Sequence, residues 1–312
     1  MSLERALELA ERGRGTTRPN PVVGAVVVQD GRVVGEGWHE RKGGPHAEVL
    51  ALEAAGERAR GATLYVTMEP CAHHGSTAPC TEAVIAAGVA YVVAGSRDPN
   101  PEAAGGLEVL RAAGVEAEHT DSFAARAQNE AWRTWISKRR PFVILKLALT
   151  LDGRVAVEGE RWISGEKSRR YVHRLRAQVD AVAVGMGTVR TDDPQLTARN
   201  VDAQQQPRRL AFGRGPLPAG SELELRSGAL EQELAALAAD GVQSLLLEGG
   251  PTLAESFLRA DLVDKLLLFV APRVGGTGPT FAPSLDRAVR LNRMTAEPSG
   301  DDVLLSAYVH EP

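Results

Sequence analysis

The feature that most constrains this chain is the run His46-Ala47-Glu48 followed by Cys71 and Cys80, the only two cysteines among its 312 residues. One imidazole and two thiolates can hold zinc and leave its fourth tetrahedral position open for a water, as catalytic sites do. Zinc deaminases carry His-x-Glu followed by Pro-Cys-x-x-Cys, and their Glu moves protons without binding the metal. Here Pro70 precedes the first cysteine, but eight residues separate the two cysteines. The pattern predicts a zinc-dependent deaminase with His46, Cys71 and Cys80 as ligands and Glu48 as proton carrier.

These ligands constrain the fold because three separate segments must meet at one ion. The sequence predicts helices over residues 46–55 and 79–87 and a strand over residues 63–67. Residues two positions apart do not share a helix face, so His46 and Glu48 can converge on one ion only where a helix begins. Pro79 suits the first helical position, and the dipole of the helix that it opens favours a thiolate at Cys80. We therefore expect two helix starts to meet at the end of a strand.

Five of the six other histidines need an interpretation here. A fourth protein ligand would leave no place for a water on the metal. We therefore expect His73 to contact substrate and His74 to face solvent. His119, His173 and His310 have no partner pattern and are interpreted as structural or surface residues.

Composition excludes several classes of protein. Hydrophobic residues make up 43% and charged residues 24%, which is ordinary for a globular protein, and the length suits two domains. Residues 1–140 contain 16 Lys and Arg against 18 Asp and Glu, and residues 141–312 contain 20 against 22. Each half thus has a net charge of −2, which predicts no nucleic-acid partner.

Residues 266–271, the longest strongly apolar stretch, are too few to span a bilayer, and residues 1–14 do not form a signal peptide. Cysteines used as ligands leave none for disulfides, so we expect a cytoplasmic protein.

The chain is predicted to divide near Pro141, because a helix over residues 122–138 is followed there by an apolar strand over residues 142–148. Residues 1–140 alternate helices with strands and contain one hairpin turn at Asp30-Gly31, which predicts α/β structure with a mixed sheet. Residues 141–312 alternate similarly, with a helix over residues 164–178 for which Ser164 is the expected N-cap. Residues 199–228 carry the weakest pattern.

Two glycine-bearing turns in the second half are candidate phosphate sites. Glu248-Gly249-Gly250-Pro251-Thr252 lies between a predicted strand and a helix, where backbone N–H groups favour a pyrophosphate. A turn needed only for packing is an equally good interpretation. Gly185-Met186-Gly187 does not continue as the Rossmann Gly-x-Gly-x-x-Gly, so any dinucleotide must bind in another fold.

Many longer motifs accompany these features along the chain. They are Pro19-Asn20-Pro21-Val22-Val23-Gly24, Gly35-Glu36-Gly37-Trp38-His39, Glu69-Pro70-Cys71-Ala72-His73-His74-Gly75, Asp98-Pro99-Asn100-Pro101, Leu151-Asp152-Gly153-Arg154, Asp192-Asp193-Pro194-Gln195-Leu196-Thr197-Ala198-Arg199 and Glu248-Gly249-Gly250-Pro251-Thr252-Leu253. In these motifs and their order, the chain resembles the bifunctional deaminase/reductase family of riboflavin biosynthesis over nearly its whole length.

The resemblance implies a zinc-dependent pyrimidine deaminase over residues 1–140, with a cytidine-deaminase-like three-layer fold. It implies an NADPH-dependent reductase over residues 141–312, with a dihydrofolate-reductase-like α/β fold. The first would deaminate 2,5-diamino-6-(5-phosphoribosylamino)pyrimidin-4-one with one zinc ion per chain. The second would reduce the ribosyl group of 5-amino-6-(5-phosphoribosylamino)uracil to ribityl.

The resemblance also implies roles for individual residues. The deaminase substrate would contact Asn20, His39 and His73. The reductase substrate would contact Arg176, Leu196, Arg199 and Glu248, with the two arginines on its phosphate, since a guanidinium binds phosphate bidentately, and Glu248 accepting from ribose hydroxyls. NADPH would contact Leu149, Trp162, Thr188, Asp192, Gly250, Pro251, Thr252, Leu253, Ala254, Glu255 and Ser256. Lys146 is either an acid or electrophilic helper at the sugar or a member of an ion pair.

Three segments depart from the family pattern. Where the family has a Lys or Arg followed by Thr-Pro-Pro-Cys, this chain reads Ser76-Thr77-Ala78-Pro79-Cys80, so one basic contact is missing. Glu160-Arg161 replaces a substrate-binding Ser, and Phe212-Gly213 replaces an Asp-Ser pair. These departures affect individual contacts and leave the predicted reactions unchanged.

The main alternative is a deaminase of nucleosides or nucleic-acid bases with a degenerate reductase-like binding module. The residues alone also leave NADH open as the cofactor. We expect a homo-oligomer, a dimer or a tetramer, with no membrane partner.

Overall fold

The computed structural model describes residues 2–75, 78–203 and 205–312. Ser76, which stands where the family has a basic residue, lies outside the described residues together with Thr77. The chain divides into two compact units, Met1–Lys138 together with Pro312, and Arg139–Glu311.

The first unit is built on a five-stranded sheet. Its strands are β1 (Gly24–Gln29), β2 (Arg32–Trp38), β3 (Thr63–Val66), β4 (Tyr91–Ala94) and β5 (Glu116–His119). Its helices are α1 (Ser2–Glu11), α2 (Ala47–Ala55), α3 (Cys80–Ala86), α4 (Gly106–Ala112), α5 (Phe123–Gln128) and α6 (Glu130–Lys138), with a 3-10 turn at Gly56–Ala59. The strand order is β2-β1-β3-β4-β5, with β1 antiparallel to both neighbours and β3, β4 and β5 parallel.

Alternating side chains of β1 divide this unit into three layers. Ala25 and Val27 face a core shared with α2, α3 and α4, whereas Val26 faces α1 and packs with Leu9. Successive side chains of a strand point to opposite faces of a sheet, so the sheet carries helices on both sides. This confirms the predicted three-layer α/β fold with a mixed sheet.

The helix predicted over residues 122–138 was wrong in one respect, because the structure breaks it at Asn129. Asn129 has φ −117° and ψ 27°, outside the helical region, and separates α5 from α6. Ser122 caps α5 by accepting a hydrogen bond from the backbone N–H of Ala125. The Asn129 side chain bonds to the backbone of Val22 instead. Such competition with the helical backbone is a known property of Asn.

The second unit contains an eight-stranded sheet. Its strands are β6 (Phe142–Thr150), β7 (Ala181–Gly185), β8 (Arg208–Phe212), β9 (Glu224–Arg226), β10 (Ser244–Leu247), β11 (Lys265–Ala271), β12 (Asn292–Ser299) and β13 (Asp302–Tyr308). Its helices are α7 (Glu166–Gln178), α8 (Met186–Asp192), α9 (Leu230–Ala239) and α10 (Pro251–Arg259). The order is β12-β13-β11-β6-β10-β7-β8-β9, in which β13 runs antiparallel to both β12 and β11 and the remaining neighbouring pairs are parallel.

The central strands β6, β7 and β10 are almost wholly buried, as expected for parallel strands covered on both faces. One sequence prediction was wrong in this unit, and four elements were not predicted. The N-cap of α7 is Gly165 rather than Ser164, and its N–H donates to the Asp302 carboxylate. The turn after β7 is the short helix α8, which was not predicted. Strands β8, β9 and β12 were also not predicted.

Candidate active sites

Three potential metal ligands meet in the first unit. The ligand atoms of His46, Cys71 and Cys80 all lie within 4.8 Å of one another. The Nδ1 atom of His46 is 3.2 Å from the Cys80 Sγ and 3.6 Å from the Cys71 Sγ. Tetrahedral zinc with ordinary bond lengths holds N and S about 3.6 Å apart and two S atoms about 3.8 Å apart. The two N-to-S distances are therefore near those of a zinc site.

Element ends bring these donors together. His46 is the N-cap of α2, Cys80 is the first residue of α3, and Cys71 lies in the segment that follows β3. The N–H of Cys80 donates to the Cys71 Sγ over 3.4 Å. Pro79 is the N-cap of α3 rather than its first helical residue, so α3 begins one residue later than predicted.

The proton affinities of this cluster follow from burial and mutual contact. The hydrogen bond between the thiols lowers the pKa of Cys71 to about 4 and raises the pKa of Cys80. Zinc requires deprotonated thiols, so binding would release protons. Burial raises the pKa of Glu48 to about 7. Its side chain is 3% exposed.

A cavity of about 330 Å³ opens beside the cluster, which is the size of a small-molecule site. Six residues proposed from the sequence line it together: Asn20, His39, His46, Glu48, Cys71 and His73. Cys80 is fully buried beside it. His74 is exposed and forms an ion pair with Glu82 over 3.2 Å.

Hydrogen bonds fix the orientation of two of these side chains. His39 Nδ1 lies 3.0 Å from the carbonyl of Pro45, which can only accept, so Nδ1 carries the proton. Burial lowers the pKa of His39, so its Nε2 is unprotonated and accepts from the Asn20 Nδ2 over 3.4 Å. Asn20 therefore turns its donor group to His39 and keeps its Oδ1 as an acceptor.

Sequence reasoning missed several lining residues. They are Glu69, Asp98, Asn100, Trp132, Trp135 and Ile136. The Glu69 carboxylate accepts from the N–H groups of Asp98 and Leu107, both over 3.1 Å. Asp98 in turn accepts from the N–H of Asn100 over 2.8 Å, and burial raises the pKa of Asp98 to about 6. The Asp98-Pro99-Asn100-Pro101 motif was a signal for this wall, although the sequence assigned it no role.

In the second unit, the candidate nucleotide residues follow the ends of parallel strands. Leu149 lies near the end of β6, Thr188 follows β7 in α8, and Gly250 follows β10 as the N-cap of α10. Strands β6, β10 and β7 are parallel neighbours, so their carboxyl ends meet at one edge, where α/β sheets bind ligands. A Cβ atom added to Gly250 would lie 3.6 Å from the Thr188 Oγ1. These two turns approach each other closely, which fits a cradle for a nucleotide.

The remaining proposed cofactor residues differ in how accessible they are. Pro251, Thr252 and Leu253 form the first turn of α10, and Ala254 is fully buried. Glu255 pairs with Arg259 over 2.9 Å, and the Ser256 hydroxyl donates to the carbonyl of Thr252. Trp162 is 53% exposed, and the guanidinium groups of Arg161 and Arg169 lie 5.2 and 5.3 Å from its ring centroid. Asp192 ends α8.

Arg176 and Glu248, both proposed for the substrate, form an ion pair with each other. The guanidinium donates to both carboxylate oxygens over 2.6 and 3.0 Å, and also to the carbonyl of Thr197 over 3.1 Å. Lys146 Nζ lies 3.8 Å from the same carboxylate, so Lys146 does take part in an ion pair. Burial alone would raise the pKa of Glu248, but the charges of Lys146 and Arg176 together lower it. Burial lowers the pKa of Lys146.

The segment that carries Leu196 and Arg199 is held near this cluster. The N–H of Arg199 donates to Nδ1 of His173 over 3.2 Å, so His173, which the sequence left without a role, supports this segment. Arg199 Nη1 donates to Gln195 over 2.7 Å. Leu196 is buried and adopts a left-handed φ of 53°. Unlike Arg176, Arg199 has no carboxylate within salt-bridge distance among the described residues.

Two departures from the family pattern are visible in the structure. Glu160 pairs with Arg273 over 3.6 Å. Gly213 has φ 133°, and a Cβ there would lie 3.0 Å from the Met186 side chain. A serine would not fit at this position without a shift.

A triad of potential metal ligands beside a cavity with a buried carboxylate, in a three-layer α/β unit, indicates a zinc-dependent deaminase joined to a second α/β unit. Residues 2–96 match the family model for the cytidine and deoxycytidylate deaminase zinc-binding region, and residues 141–305 match the RibD C-terminal domain. The chain belongs to the RibD family of riboflavin-biosynthesis proteins and is a bifunctional deaminase and reductase. Its cofactors are zinc and NADPH.

Relatives match nearly the whole chain. The riboflavin biosynthesis protein RibD of Aquifex aeolicus is 38% identical over 342 residues, covering 97% of this chain and 96% of the relative. The Escherichia coli protein of that name is 41% identical, covering 91% of each chain. The solved structure of Acinetobacter baumannii RibD has a TM-score of 0.85 at 35% identity, covering 98% of this chain and 97% of that one.

A Thermotoga maritima structure has a TM-score of 0.81 at 36% identity, covering 98% of this chain and 97% of that one. It is described as a diaminohydroxyphosphoribosylaminopyrimidine deaminase/5-amino-6-(5-phosphoribosylamino)uracil reductase. In the described part of the chain, no helix combines the length and apolar character needed to cross a membrane.

Proposed function

We propose that residues 1–140 deaminate 2,5-diamino-6-(5-phosphoribosylamino)pyrimidin-4-one and that residues 141–312 then reduce the ribosyl group of the product to ribityl with NADPH. The observation that carries the first step is the cluster of His46, Cys71 and Cys80 beside the cavity that contains Glu48. The Thermotoga maritima relative, whose description names both activities, supports the choice of substrates.

In the deaminase unit, His46, Cys71 and Cys80 would hold the metal. When bound, zinc activates the attacking water. Glu48 takes the proton of that water and delivers it to the leaving amino group, a role supported by its burial beside the ligands. Asn20 accepts a hydrogen bond from the pyrimidine through Oδ1, while His39 holds the Asn20 amide in that orientation. His73, at the exposed rim of the cavity, contacts the phosphoribosyl part.

In the reductase unit, the strand ends that carry Leu149, Thr188 and Gly250 would hold NADPH, which would supply the hydride. Glu248 remains ionised because two cations face it, so it accepts hydrogen bonds from the ribosyl hydroxyls. Arg199 is the main ligand of the substrate phosphate, since the Arg176 guanidinium is already engaged by Glu248. Leu196 completes the pocket wall.

We further propose that the protein acts in the cytoplasm as a homo-oligomer on a small phosphorylated pyrimidine, without a nucleic-acid partner. The net charge of −2 on each half and the two free thiols support this proposal. Cytoplasmic conditions keep thiols available for a metal.

The test uses Glu48→Gln in the full chain, with Glu53→Gln on the exposed face of the same helix as the matched control. Glu48→Gln should lower deamination of the diaminopyrimidinone phosphate about a hundredfold or more, because a general acid–base residue contributes on that order. Zinc content and NADPH-dependent reduction of supplied deaminated intermediate should match those of the control.

Mass analysis of products with and without NADPH separates the two steps. Loss of zinc in Glu48→Gln would indicate that Glu48 binds the metal and would contradict its assignment as the proton carrier. Reduction that fails in the wild-type chain would support a degenerate second unit.

A further inference from the structure

Asn129 joins two segments of the first unit that lie far apart in sequence. Its Nδ2 donates to the carbonyl of Val22 and its Oδ1 accepts from the N–H of Val22, both over 2.9 Å. The residue is 6% exposed, so water cannot replace these bonds easily. One side-chain amide thus satisfies both backbone polar groups of a single buried residue, as a neighbouring strand would.

Both joined segments form walls of the deaminase cavity. Pro19, Asn20 and Pro21 line it immediately before Val22. Beyond Asn129, α6 lines it with Trp132, Trp135 and Ile136. Asn129 and Val22 do not line the cavity themselves. The amide therefore links the polar wall that carries Asn20 to the apolar wall that carries the tryptophans.

The break between α5 and α6 serves this link. In a continuous helix, Asn129 would have helical backbone angles. In the structure its backbone lies outside the helical region, and α6 begins at the next residue. The Asn amide carries its donor and its acceptor on two separate atoms, which suits the carbonyl and the N–H of a single residue. Asp lacks the donor, Ala lacks both groups, and Gln is one methylene longer.

We infer that Asn129 is a positioning residue of the deaminase pocket, which sets the distance between the Asn20 wall and the tryptophan wall and thereby the affinity for the pyrimidine substrate. This inference rests on the proposed deamination. It assigns Asn129 no contact with substrate or metal.

The test compares Asn129→Ala and Asn129→Asp with Thr134→Val, a buried polar residue on α6 that does not line the cavity. For Asn129→Ala, the KM for the diaminopyrimidinone phosphate should rise at least tenfold. Zinc content and the reductase activity of the same chain should stay normal. Asn129→Asp replaces the donor by a carboxylate oxygen that would face the Val22 carbonyl, so the KM of this variant should rise as well. Thr134→Val should lower the Tm without changing KM.

Two readouts do not depend on turnover. Hydrogen exchange followed by mass spectrometry should show faster exchange in the peptide that contains Val22 for Asn129→Ala and not for Thr134→Val. Acrylamide should quench the tryptophan fluorescence of Asn129→Ala more strongly. A lower Tm with unchanged KM, or unchanged exchange at Val22, would overturn the inference. A wild-type chain that fails to deaminate the substrate would instead refute the proposed function, while exchange and quenching still decide whether Asn129 links the two walls.

Discussion

The buried ion cluster of the second unit gives a prediction whose size can be worked out. Arg176 and Glu248 form a two-pronged pair, and their side chains are only 13% and 10% exposed. Lys146 lies 3.8 Å from the same carboxylate. The perturbations are Arg176→Met, Glu248→Gln and the double variant. Arg170→Met, on the exposed face of the same helix α7, is the control.

Removing one partner of a buried pair costs about 3–5 kcal/mol, because the other charge stays buried without compensation. The cost of Arg176→Met should lie near the lower end of this range, since the charge of Lys146 still compensates that of Glu248. Glu248→Gln should fall near the upper end, because it leaves Arg176 and Lys146 facing each other with no anion between them. The double variant should cost about 2–3 kcal/mol less than the sum of the single variants. Arg170 is exposed and its pair with Glu166 spans 3.9 Å, so its removal should cost about 0.5 kcal/mol or less.

The assay is scanning calorimetry of the full chain, combined with urea unfolding to obtain free energies. For a unit of this size, about 3 kcal/mol lowers the Tm by roughly 6–12 °C. Costs that add without coupling would refute the reasoning. So would an Arg176→Met variant that unfolds within about 1 kcal/mol of the control, because the pair would then contribute no more than an exposed one.

Two further predictions concern the second unit. Arg199→Ala should raise the KM for the phosphorylated intermediate roughly tenfold to a hundredfold, because charge-assisted hydrogen bonds contribute about 1.5–3 kcal/mol. The Kd for NADPH, measured by nicotinamide fluorescence, should stay nearly unchanged. Comparable weakening of the binding of both ligands would assign Arg199 to the nucleotide. Asp152 accepts from the N–H groups of Gly275 and Gly276 and from the Thr150 hydroxyl, which hold the pKa of Asp152 below its ordinary 3.8. The stability that the Asp152 carboxylate contributes is therefore complete above pH of about 4 and is lost as the pH falls through the lowered pKa. The Tm of wild type should exceed that of Asp152→Asn by a constant amount from pH of about 8 to 5, and this difference should shrink below pH of about 4. A difference that grows on acidification would contradict this assignment.

The deaminase site was largely predictable because its chemistry constrains local sequence. Zinc ligands need fixed donor atoms, and the helix starts at His46 and Cys80 are marked by a cap position and by Pro79. Six proposed residues consequently line one cavity. The β1–β2 hairpin was equally clear from Asp30-Gly31, where both residues have positive φ.

Long-range pairing was not predictable in the same way. Arg176 and Glu248 are 72 positions apart, and each suits a phosphate or a sugar when considered alone. Their mutual pairing depends on the sheet order that brings β10 and α7 together, which local patterns do not encode. Strand β12 was missed because six of its eight residues are exposed and show no apolar alternation. Asn129 was missed because an Asn within an apparently continuous helical pattern carries no local signal of its partner Val22.

Glu48 and Glu248 show how burial gives one residue type two different roles. Glu48 faces the metal ligands, and burial raises its pKa to about 7, so it can exchange a proton near neutral pH. Glu248 is buried as well, but Lys146 and Arg176 hold its pKa below the ordinary value, so it stays ionised and can only accept hydrogen bonds. When the environments of two carboxyl groups shift their pKa values in opposite directions, one group can transfer protons while the other binds as an anion. The difference follows from the neighbouring cations, and it explains why Glu48 suits proton transfer in the deaminase whereas Glu248 suits the hydroxyl groups of a sugar.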